Sequence, residues 1–335
     1  MTPRRRNQED IRIAAIGVGG MGANHARVLA SMKGVELVAV VDADATRAAA
    51  VAEFYGCMSC TSVDELPTID AATVAVPSSL HAEVGVPLLQ SGVHCLIEKP
   101  LATTEADCLT LMAAAESGNA QLLVGHIERF NPAVQQLAEI VNNDEIVAVA
   151  ARRMSAVSGR ISDVDVVLDL MVHDLDIVLG LTGKSVTDVV ARGIDGPHGA
   201  DHAIALLTLE NGAQGTLTAS RITQNQIRHL EVTTSDHFYV INYPSQELFI
   251  YRQGRIEASG DVDQKYRLDV NTEKVLVRRI EPLAEELKHF VDVCRGDATP
   301  KITGAAALEA LQSVWTIQSL LAAQSSNDQN QAQAA

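Results

Sequence analysis

The chain has 335 residues, of which 47% are hydrophobic and 20% charged, and its formal net charge is −16. This length and composition exclude a disordered chain and predict a substantial core in two domains. The charge argues against nucleic acid or an anionic membrane as a partner, because either would be repelled by the whole surface. No apolar run is long enough to span a bilayer and the opening MTPRRRNQED lacks a signal-peptide core, so we expect a cytoplasmic protein.

Up to residue 126 the sequence alternates strand and helix patterns. The strand-like runs IRIAAIG, VELVAVVDAD, AATVAVP, VHCLIEKP and QLLVGH are separated by helical runs at 21–32, 43–55, 79–90 and 104–117. Continuous apolar strands rich in valine are typical of sheets covered on both faces. The alternation predicts a doubly wound parallel sheet of the α/β class, in which ligands bind at the carboxyl ends of the strands.

A glycine motif ends the first strand and opens the first helix. In GVGGMG, Gly17, Gly19 and Gly22 follow the G-x-G-x-x-G pattern. The first glycine permits a tight turn, the second lets a pyrophosphate approach, and the third lets helix and strand pack closely. Because the helix N-terminus also attracts phosphate, we predict a Rossmann domain in which this turn, including Gly20 and Met21, binds a dinucleotide.

An acidic residue, Asp42, closes the second strand twenty residues after Gly22. Its carboxylate is expected to accept hydrogen bonds from the adenosine ribose hydroxyls and to repel a 2′-phosphate, which favours NAD over NADP. Arg47 follows on the next helix and leaves room for NADP, although a solvated helix position is the interpretation we prefer.

The five cysteines, an odd number, indicate reduced thiols rather than a disulfide framework. Cys57 and Cys60 form a CxxC pair, which would be a redox motif in a thioredoxin-like context or half of a zinc site with a second pair. The sequence offers neither a second pair nor a suitably placed helix start. We therefore predict inert thiols in a loop.

Polar residues follow the third and fourth strands. Pro77, Ser78 and His81 come after the third strand, where they are placed to contact the cofactor, with capping of the next helix as the alternative for His81. The fourth strand runs into the tripeptide EKP, which contains Glu98 and Lys99.

Beyond residue 126 the pattern changes to a helix beginning near Pro132 and a series of strand-like segments with turn signals at 210–212 and 243–245. These predict an α+β domain with a large open mixed or antiparallel sheet, whose free face would pack in a homo-oligomer, dimer or tetramer. Helical runs at 282–294 and 304–323 follow. We predict domains at 1–126 and 127–323, with the last helices free to pack back on the first domain, and a disordered tail at 324–335.

Basic residues near the start of the second domain are candidates for substrate binding. Arg129 and Asn131, in ERFNP, are predicted to touch substrate, and their alternatives are an interdomain salt bridge and a helix cap. Arg152, Arg153 and Arg160 form a positive cluster of the kind that a diphosphate requires. Solvated strand ends would also explain them.

The segment DLMVHDLD, residues 169–176, places ionisable residues in an otherwise apolar helix. At about 100° per residue, Asp169, His173 and Asp176 share one face, which Asp165 extends, while Asp174 points elsewhere. A helix that is apolar on its other sides is buried, and an unpaired buried carboxylate costs about 3 kcal/mol or more. The residues alone leave three interpretations open, namely a structural network, a metal site and an acid–base pair.

Several of these segments together resemble one enzyme family. AAIGVGGMGANHARVL, VAVPSSLHAEV, GVHCLIEKPLATT and the D-x-x-x-H helix before an open sheet are similar to the Gfo/Idh/MocA family of NAD(P)-dependent sugar and cyclitol oxidoreductases. VGHIERFNPAV and DLMVHDLDIVLGL resemble the branch that acts on UDP-N-acetylglucosamine. That resemblance implies NAD-dependent oxidation of the sugar 3-hydroxyl, which would feed 2,3-diamino sugar synthesis for a lipopolysaccharide of the lipid A type.

The resemblance also implies residue roles. In the family the lysine of EKP and the Asp and His of the helix surround the hydroxyl that is oxidised, which corresponds to Lys99, Asp169 and His173. A histidine accepts a proton at neutral pH, a carboxylate orients it, and a lysine stabilises developing alkoxide charge, with the base role undivided between His173 and Lys99. Glu98 would approach the nicotinamide ribose, and Asp176 would support the site or pair with a basic residue.

Alternatives remain within and outside this chemistry. Within the same chemistry, the alternative substrates are UDP-N-acetylglucosaminuronate, a free sugar and inositol. A non-catalytic NAD-binding regulator is a different class, which the presence of Lys99, Asp169 and His173 disfavours. A metal enzyme with Asp169 and His173 as ligands is the third class, but our expectation is that no metal is used.

Overall fold

The computed structural model describes residues 10–141, 146–156, 164–257 and 267–334. Its contacts divide the chain into unit 1, Met1–Ile127 with Glu281–Leu308, and unit 2, Glu128–Ile280 with Glu309–Ala335. The first division falls beside the predicted boundary after residue 126. After residue 280 the chain returns to unit 1, to which Glu281–Leu308 belongs. The sequence analysis predicted this only as helices free to pack back on the first domain.

Unit 1 contains a six-stranded parallel sheet in its described residues, with strand order β3-β2-β1-β4-β5-β6. The strands are β1 Ile11–Ile16, β2 Val35–Val41, β3 Met58–Cys60, β4 Ala71–Val74, β5 His94–Glu98 and β6 Leu122–Gly125. The order reverses between β1 and β4, and ligands of doubly wound sheets bind at such a switch point. The predicted fold class of this domain is confirmed.

Four helices connect these strands: α1 Gly20–Ser31, α2 Ala45–Tyr55, α3 His81–Gln90 and α4 Glu105–Ser117. Two begin one or two residues later than predicted because a side chain caps them. Asp44 accepts hydrogen bonds from the N–H groups of Thr46 and Arg47, and Thr104 accepts one from Asp107.

The CxxC segment is not a loop, because Cys60 lies on the short edge strand β3, which was not predicted. Cys57 and Cys60 are both free, and burial raises the pKa of each thiol. A raised pKa leaves less of the nucleophilic thiolate at neutral pH. The interpretation as inert thiols therefore agrees with their surroundings.

The first α-helix of unit 2 is α5, Pro132–Ile140. Farther along the chain a π-helical turn, Val167–Met171, leads directly into α6, Val172–Thr182. Its described residues form an eight-stranded sheet of order β14-β13-β12-β11-β7-β10-β9-β8. The strands are β7 Ile146–Met154, β8 Val186–Gly196, β9 Gly199–Leu209, β10 Gln214–Ser220, β11 Ile227–Thr234, β12 His237–Asn242, β13 Glu247–Glu257 and β14 Arg267–Val275. β7 and β10 pair in parallel and the other pairs are antiparallel, so the predicted mixed sheet is confirmed.

Both predicted hairpin turns join antiparallel neighbours, β9 with β10 and β12 with β13. The last predicted strand, KVLVRRI at 274–280, is wrong beyond Val275, where β14 ends. The side-chain amide of Gln246 pairs with both the N–H and the carbonyl of Ile280. That backbone is therefore satisfied by a side chain and not by a sheet partner.

Two helices complete the chain, α7 Pro282–Cys294 and α8 Gly304–Ala334. α7 packs on α1, and its Leu287 and Phe290 join Ile13 and Leu29 in the core of unit 1. α8 continues to Ala334, in contrast to the predicted disordered tail. At the start of that segment the amide of Gln324 accepts from the N–H of Gly193 on β8 at 3.1 Å and donates to its carbonyl at 3.3 Å, contacts that composition alone does not reveal.

Within the described residues, none of the helices combines the length and the apolar character that crossing a membrane requires.

Candidate functional site

The glycine turn after β1 has the geometry that its motif predicts. Gly17 has a φ of +79°, and a Cβ there would lie 2.7 Å from the backbone of Ala75, while a Cβ on Gly22 would collide with the carbonyl oxygen of Gly17. A Cβ on Gly19 would meet nothing within 4 Å. The protein itself thus requires the first and third glycines, whereas the second borders open space of the kind that a pyrophosphate needs.

The N-terminus of α1 opens at this turn. Gly19 offers no side-chain cap, and the first turn of the helix, which is fully described, contains no acidic residue. Its N–H groups and the positive end of the helix dipole therefore stay available to an anion. Gly20 and Met21 provide the first of these N–H groups, as predicted for the dinucleotide turn.

The acidic residue after β2 is anchored from three sides. One carboxylate oxygen of Asp42 accepts from the N–H of Val18 at 3.0 Å and the other from the N–H of Asp44 at 2.9 Å. Arg47 contacts both oxygens, at 3.1 and 3.2 Å, and also reaches Asp44 at 3.2 Å. Arg47 is exposed on α2, as the preferred interpretation of a solvated helix position expected, and it also forms ion pairs with Asp42 and Asp44.

The residues after β4 form a short 3₁₀ turn, Ser78–Leu80, preceded by Pro77. The next residue, His81, is buried, with Nδ1 2.9 Å from the carbonyl of Pro100 and Nε2 3.0 Å from the carbonyl of Val76. Burial lowers the pKa of His81, while the two carbonyls act in the opposite direction. Its ring joins the loops after β4 and β5. A cofactor contact or a helix cap would each use a ring nitrogen of His81. Both ring nitrogens already face a backbone carbonyl.

The end of β5 carries Glu98 and Lys99. The carboxylate of Glu98 is buried and lies 3.0 Å from Nε2 of His25 on α1, while the Lys99 side chain is partly exposed. The peptide bond from Lys99 to Pro100 is cis. His25 was missed by the sequence reasoning, although an ionisable residue on the buried face of α1 was a visible signal.

These groups all lie at the carboxyl ends of β1, β2, β4 and β5, on both sides of the switch point. The open space at Gly19, the uncapped N-terminus of α1 and the buried carboxylate of Asp42 match a pyrophosphate and an adenosine ribose. Unit 1 therefore fits a dinucleotide cofactor at this edge.

In unit 2 the predicted catalytic pair lies across a change of helix type. Asp169 belongs to the π-helical turn, and His173 belongs to α6. The N–H of Val172 bonds the carbonyl of Val167, a turn one residue longer than in an α-helix. The uniform spacing of 100° per residue was therefore wrong here. Asp169 and His173 are both partly exposed, and π turns are frequent at functional sites.

The other carboxylates of DLMVHDLD, and Asp165 before it, have structural partners. Asp176 is buried and receives two hydrogen bonds from Arg129, at 2.7 and 3.1 Å, and a Cβ on Gly180 would collide with that guanidinium. Asp174 is also buried and lies 2.9 Å from Arg153. Asp165 accepts from the N–H groups at the start of the π turn. The acidic stripe thus divides into paired structural residues and the partly exposed Asp169 and His173.

Arg153 is the centre of a buried network. Besides Asp174 it contacts Glu128 at 2.8 Å, and its guanidinium lies 5.1 Å from the centre of the Tyr243 ring. Burial alone would lower the pKa of Arg153, but Asp174 and Glu128 outweigh it and raise that pKa. The arginine therefore stays charged and satisfies the buried carboxylate of Asp174 and the partly buried one of Glu128.

The predicted substrate-binding cations are mostly committed elsewhere. Arg129 is bound to Asp176, and Arg153 is sealed in its network, so neither is a free anion receptor. Arg152 pairs with Glu231 at 2.7 Å. Arg160 lies outside the described residues. The predicted positive cluster therefore does not exist among its described members, because alternate residues of a strand point to opposite faces.

Asn131 is a helix cap. Its carbonyl oxygen accepts from the N–H of Ala133 at 3.1 Å, and its amide donates to the carbonyl of Tyr243 at 3.2 Å. The residue is buried. The alternative that the sequence analysis offered is therefore the role that the structure gives it.

Sequence reasoning missed one cation in unit 2. Arg228 on β11 pairs in register with Arg153, on the sheet face that also carries Leu230 and Val232. Burial and the charge of Arg153 lower the pKa of Arg228, with Glu128, Asp174 and Asp169 opposing them. The alternation of IRHLEVTT already indicated a cation on a covered face.

Comparisons with known proteins agree with this architecture. Residues 11–126 match the family model described as the Gfo/Idh/MocA oxidoreductase family with an NAD-binding Rossmann fold, and residues 135–239 match the Gfo/Idh/MocA C-terminal domain. The chain is 35% identical over 308 residues to the UDP-N-acetylglucosamine 3-dehydrogenase of Acidithiobacillus ferrooxidans, covering 88% of this chain and 95% of that one.

Solved structures give the same picture. A structure of that Acidithiobacillus enzyme superposes with a TM-score of 0.85 at 32% identity, covering 94% of this chain and 98% of the other. The myo-inositol 2-dehydrogenase of Lactobacillus plantarum gives a TM-score of 0.77 at 20% identity, covering 93% and 97%. At that lower identity the likeness concerns the fold alone.

Proposed function

This chain belongs to the Gfo/Idh/MocA family of NAD-binding oxidoreductases, and we propose that it oxidises the 3-hydroxyl of UDP-N-acetylglucosamine to a ketone with NAD. The observation that carries the substrate is the identity of 35% to a UDP-N-acetylglucosamine 3-dehydrogenase, along almost the full length of both chains. A 3-keto sugar is a substrate for transamination to a 2,3-diamino sugar. We place the enzyme in the cytoplasm, at an early step of lipopolysaccharide synthesis.

Three side chains perform the chemistry in this proposal. His173 takes the proton from the 3-hydroxyl, and Asp169 stabilises the resulting imidazolium. Lys99 donates a hydrogen bond to the same oxygen and stabilises the negative charge that develops on it. All three are partly exposed, as groups that must reach a substrate have to be.

Unit 1 supplies the cofactor site. The turn from Gly17 to Gly22 holds the pyrophosphate, Asp42 accepts from the adenosine ribose, and the loop at Pro77 and Ser78 borders the remainder. NAD held by these residues would supply the hydride acceptor for C3 of the sugar. The proton of the 3-hydroxyl goes to His173, so that loss of the hydride and the proton leaves the ketone.

In unit 2 we assign some residues to fixing the helices and others to binding the diphosphate of the substrate. The ion pair of Arg129 with Asp176 fixes α6, which presents His173 to the sugar. Asn131 caps the start of α5. For the diphosphate we assign Arg228, a half-buried cation near Asp169, and retain Arg160 as predicted.

We further propose a homo-oligomer built on the free face of the eight-stranded sheet. That face exposes Val190, Ile194, Ile204 and Leu206 of β8 and β9 to between 44% and 58%. An apolar patch of this kind on a sheet face is typical of a protein interface. Light scattering of the purified protein tests it, with Leu206→Lys expected to shift the mass toward the monomer.

The decisive experiment mixes the protein and NAD with UDP-N-acetylglucosamine and follows reduced-nicotinamide absorbance. An aminotransferase with its amino donor removes the ketone, because oxidation at C3 is expected to be uphill. UDP-N-acetylglucosaminuronate, free N-acetylglucosamine and myo-inositol form the comparison panel. Turnover with another member of the panel, and none with UDP-N-acetylglucosamine, would replace the proposed substrate.

The same assay with EDTA tests the alternative that Asp169 and His173 are metal ligands. If Asp169 and His173 act on the hydroxyl directly, EDTA leaves the rate unchanged. Loss of turnover with EDTA, restored by a divalent ion, would make these residues ligands instead.

A further inference from the structure

Helix α1 contains an ionisable residue that the proposed reaction does not use. His25 is 0% exposed and lies among apolar neighbours on the face of α1 turned toward the sheet. Its Nε2 is 3.0 Å from Oε1 of Glu98, a residue 73 positions away at the end of β5. A buried contact between such distant positions joins two elements that each border the dinucleotide site.

The Glu98 carboxylate is held on its other sides as well. Its Oε2 accepts from the N–H of Lys99 at 3.3 Å, a long hydrogen bond. A Cβ on Gly125, at the end of the neighbouring strand β6, would come within 3.0 Å of Oε1. The glycine thus leaves room for the carboxylate, and His25 provides the short contact that fixes its rotation.

The tautomer of His25 follows from its surroundings. Nδ1 is buried and has no hydrogen-bond partner among the described residues. An N–H at that position would be a buried donor without an acceptor, which is more costly than an unused lone pair beside apolar atoms. Nε2 is therefore the nitrogen that carries a proton and donates it to Glu98 in a hydrogen bond.

The strand order indicates which part of NAD this carboxylate faces. Asp42 ends β2, on one side of the glycine turn after β1, and Glu98 ends β5, on the other side of the switch point. If the adenosine ribose lies at Asp42 and the pyrophosphate at the turn, the ribose on the nicotinamide side lies toward β5. A carboxylate with two donors has acceptor capacity left for a ribose hydroxyl.

We infer that His25 is a positioning residue for the cofactor, which holds Glu98 in the orientation that accepts a hydrogen bond from the nicotinamide-side ribose of NAD. The inference rests on the proposed cofactor site but not on the sugar substrate. It assigns a role to a residue of α1 that never touches the ligand.

The test compares three ligands by calorimetry on the full-length protein: NAD, ADP-ribose and ADP. ADP lacks the second ribose. His25→Leu removes the donor at similar volume, and we expect it to weaken NAD and ADP-ribose about ten-fold, the scale of a hydrogen bond to a charged group. ADP should bind as to the wild type, because its contacts lie at the glycine turn and Asp42.

His25→Leu could weaken NAD binding by destabilising the fold, so the test also compares two further variants, His25→Gln and His25→Asn. Glutamine at position 25 reaches about as far as Nε2 and should restore NAD affinity, whereas asparagine is too short and should behave like leucine. Thermal unfolding of each variant reports its stability separately. Parallel losses for all three ligands, or equal affinities of His25→Gln and His25→Asn for NAD, would show that His25 only packs the helix.

A double-variant cycle with Glu98→Gln completes the experiment. If His25 acts through Glu98, the double variant His25→Leu/Glu98→Gln binds ADP-ribose about as weakly as Glu98→Gln alone. Additive losses would overturn the inference. Because these readouts use no sugar, an incorrect substrate assignment would leave them unaffected and would appear only in turnover.

Discussion

The glycine turn of unit 1 and the acidic helix of unit 2 were both conspicuous in the sequence, yet they behave differently in the structure. At the turn, Gly17, Gly22 and Asp42 have the surroundings that the motif predicts. On the helix, Asp174 and Asp176 are buried in ion pairs, whereas Asp169 and His173 are partly exposed. A motif whose partners are adjacent in sequence can be interpreted directly, whereas a charge in a buried helix depends on partners brought by the fold.

The largest expected effect is at the residues assigned to catalysis, and it tests whether His173 differs in role from the ion-paired carboxylates of the same helix. We expect His173→Ala and Lys99→Ala each to lower kcat by roughly a thousand-fold, the scale of general acid–base and electrostatic contributions. The affinity for NAD should stay within about two-fold of the wild type, since unit 1 keeps its glycine turn. Steady-state kinetics and calorimetry measure the two quantities. Equal losses of turnover and NAD affinity would contradict the assigned roles.

The second prediction concerns the structural half of that helix. Arg153→Met removes the direct ion-pair partner of the buried Asp174 and of the partly buried Glu128, and we expect it to lower the free energy of unfolding by about 3 to 5 kcal/mol. Its neighbour on β7 offers a matched control, because Arg152 pairs with Glu231 at the exposed surface. Arg152→Met should cost less than about 1 kcal/mol.

Urea unfolding measures both changes. Similar destabilisation by the two variants would remove the distinction between a buried network and a surface pair. A small effect of Arg153→Met, with intact turnover, would mean that α6 does not depend on this network for its position.

The third prediction sharpens the account of the glycine turn. Gly22→Ala drives a methyl group into the carbonyl of Gly17 and should lower the melting temperature, because backbone must move. Gly19→Ala meets no protein atom within 4 Å, so stability should be unchanged while NAD affinity falls about ten-fold. Differential scanning fluorimetry and calorimetry separate the two effects. Destabilisation by Gly19→Ala would indicate that the open space belongs to the fold.

The smallest expected effect concerns cofactor choice. Asp42→Ser should shift the ratio of NAD to NADP affinity by about ten-fold toward NADP, through loss of the ribose acceptor and of the repulsion. Arg47→Ser should shift it by less, about three-fold toward NAD, because Arg47 is half exposed and solvent screens its charge. An unchanged preference in Asp42→Ser would remove Asp42 from the ribose site.

Much of the fold was predictable because it depends on local patterns. The parallel strands of unit 1, the hairpins of unit 2 and the helices at 132–140 and 282–294 follow from periodicity, turn residues and prolines. Errors occurred where a distant side chain decides the outcome. Gln246 satisfies the backbone of Ile280, and Gln324 joins α8 to Gly193.

The candidate site shows the same limit. The separation of Arg129 from Asp176 is 47 residues and that of His25 from Glu98 is 73, so no spacing rule connects them. The π turn before His173 also escaped prediction, because an α-helical spacing of 100° per residue was assumed throughout. Arg152 and Arg153 of the predicted arginine cluster lie apart because alternate residues of β7 face opposite sides of the sheet.

The amino-acid sequence by itself determined the doubly wound sheet, the dinucleotide turn and the residue types that the chemistry needs, because these depend on contacts within one strand, turn and helix. Only the tertiary structure decided which carboxylates are sealed in ion pairs, which cations remain for a ligand and that a histidine of α1 holds Glu98. Burying a charge is unfavourable unless a partner lies within hydrogen-bond reach, and the fold alone brings such partners together.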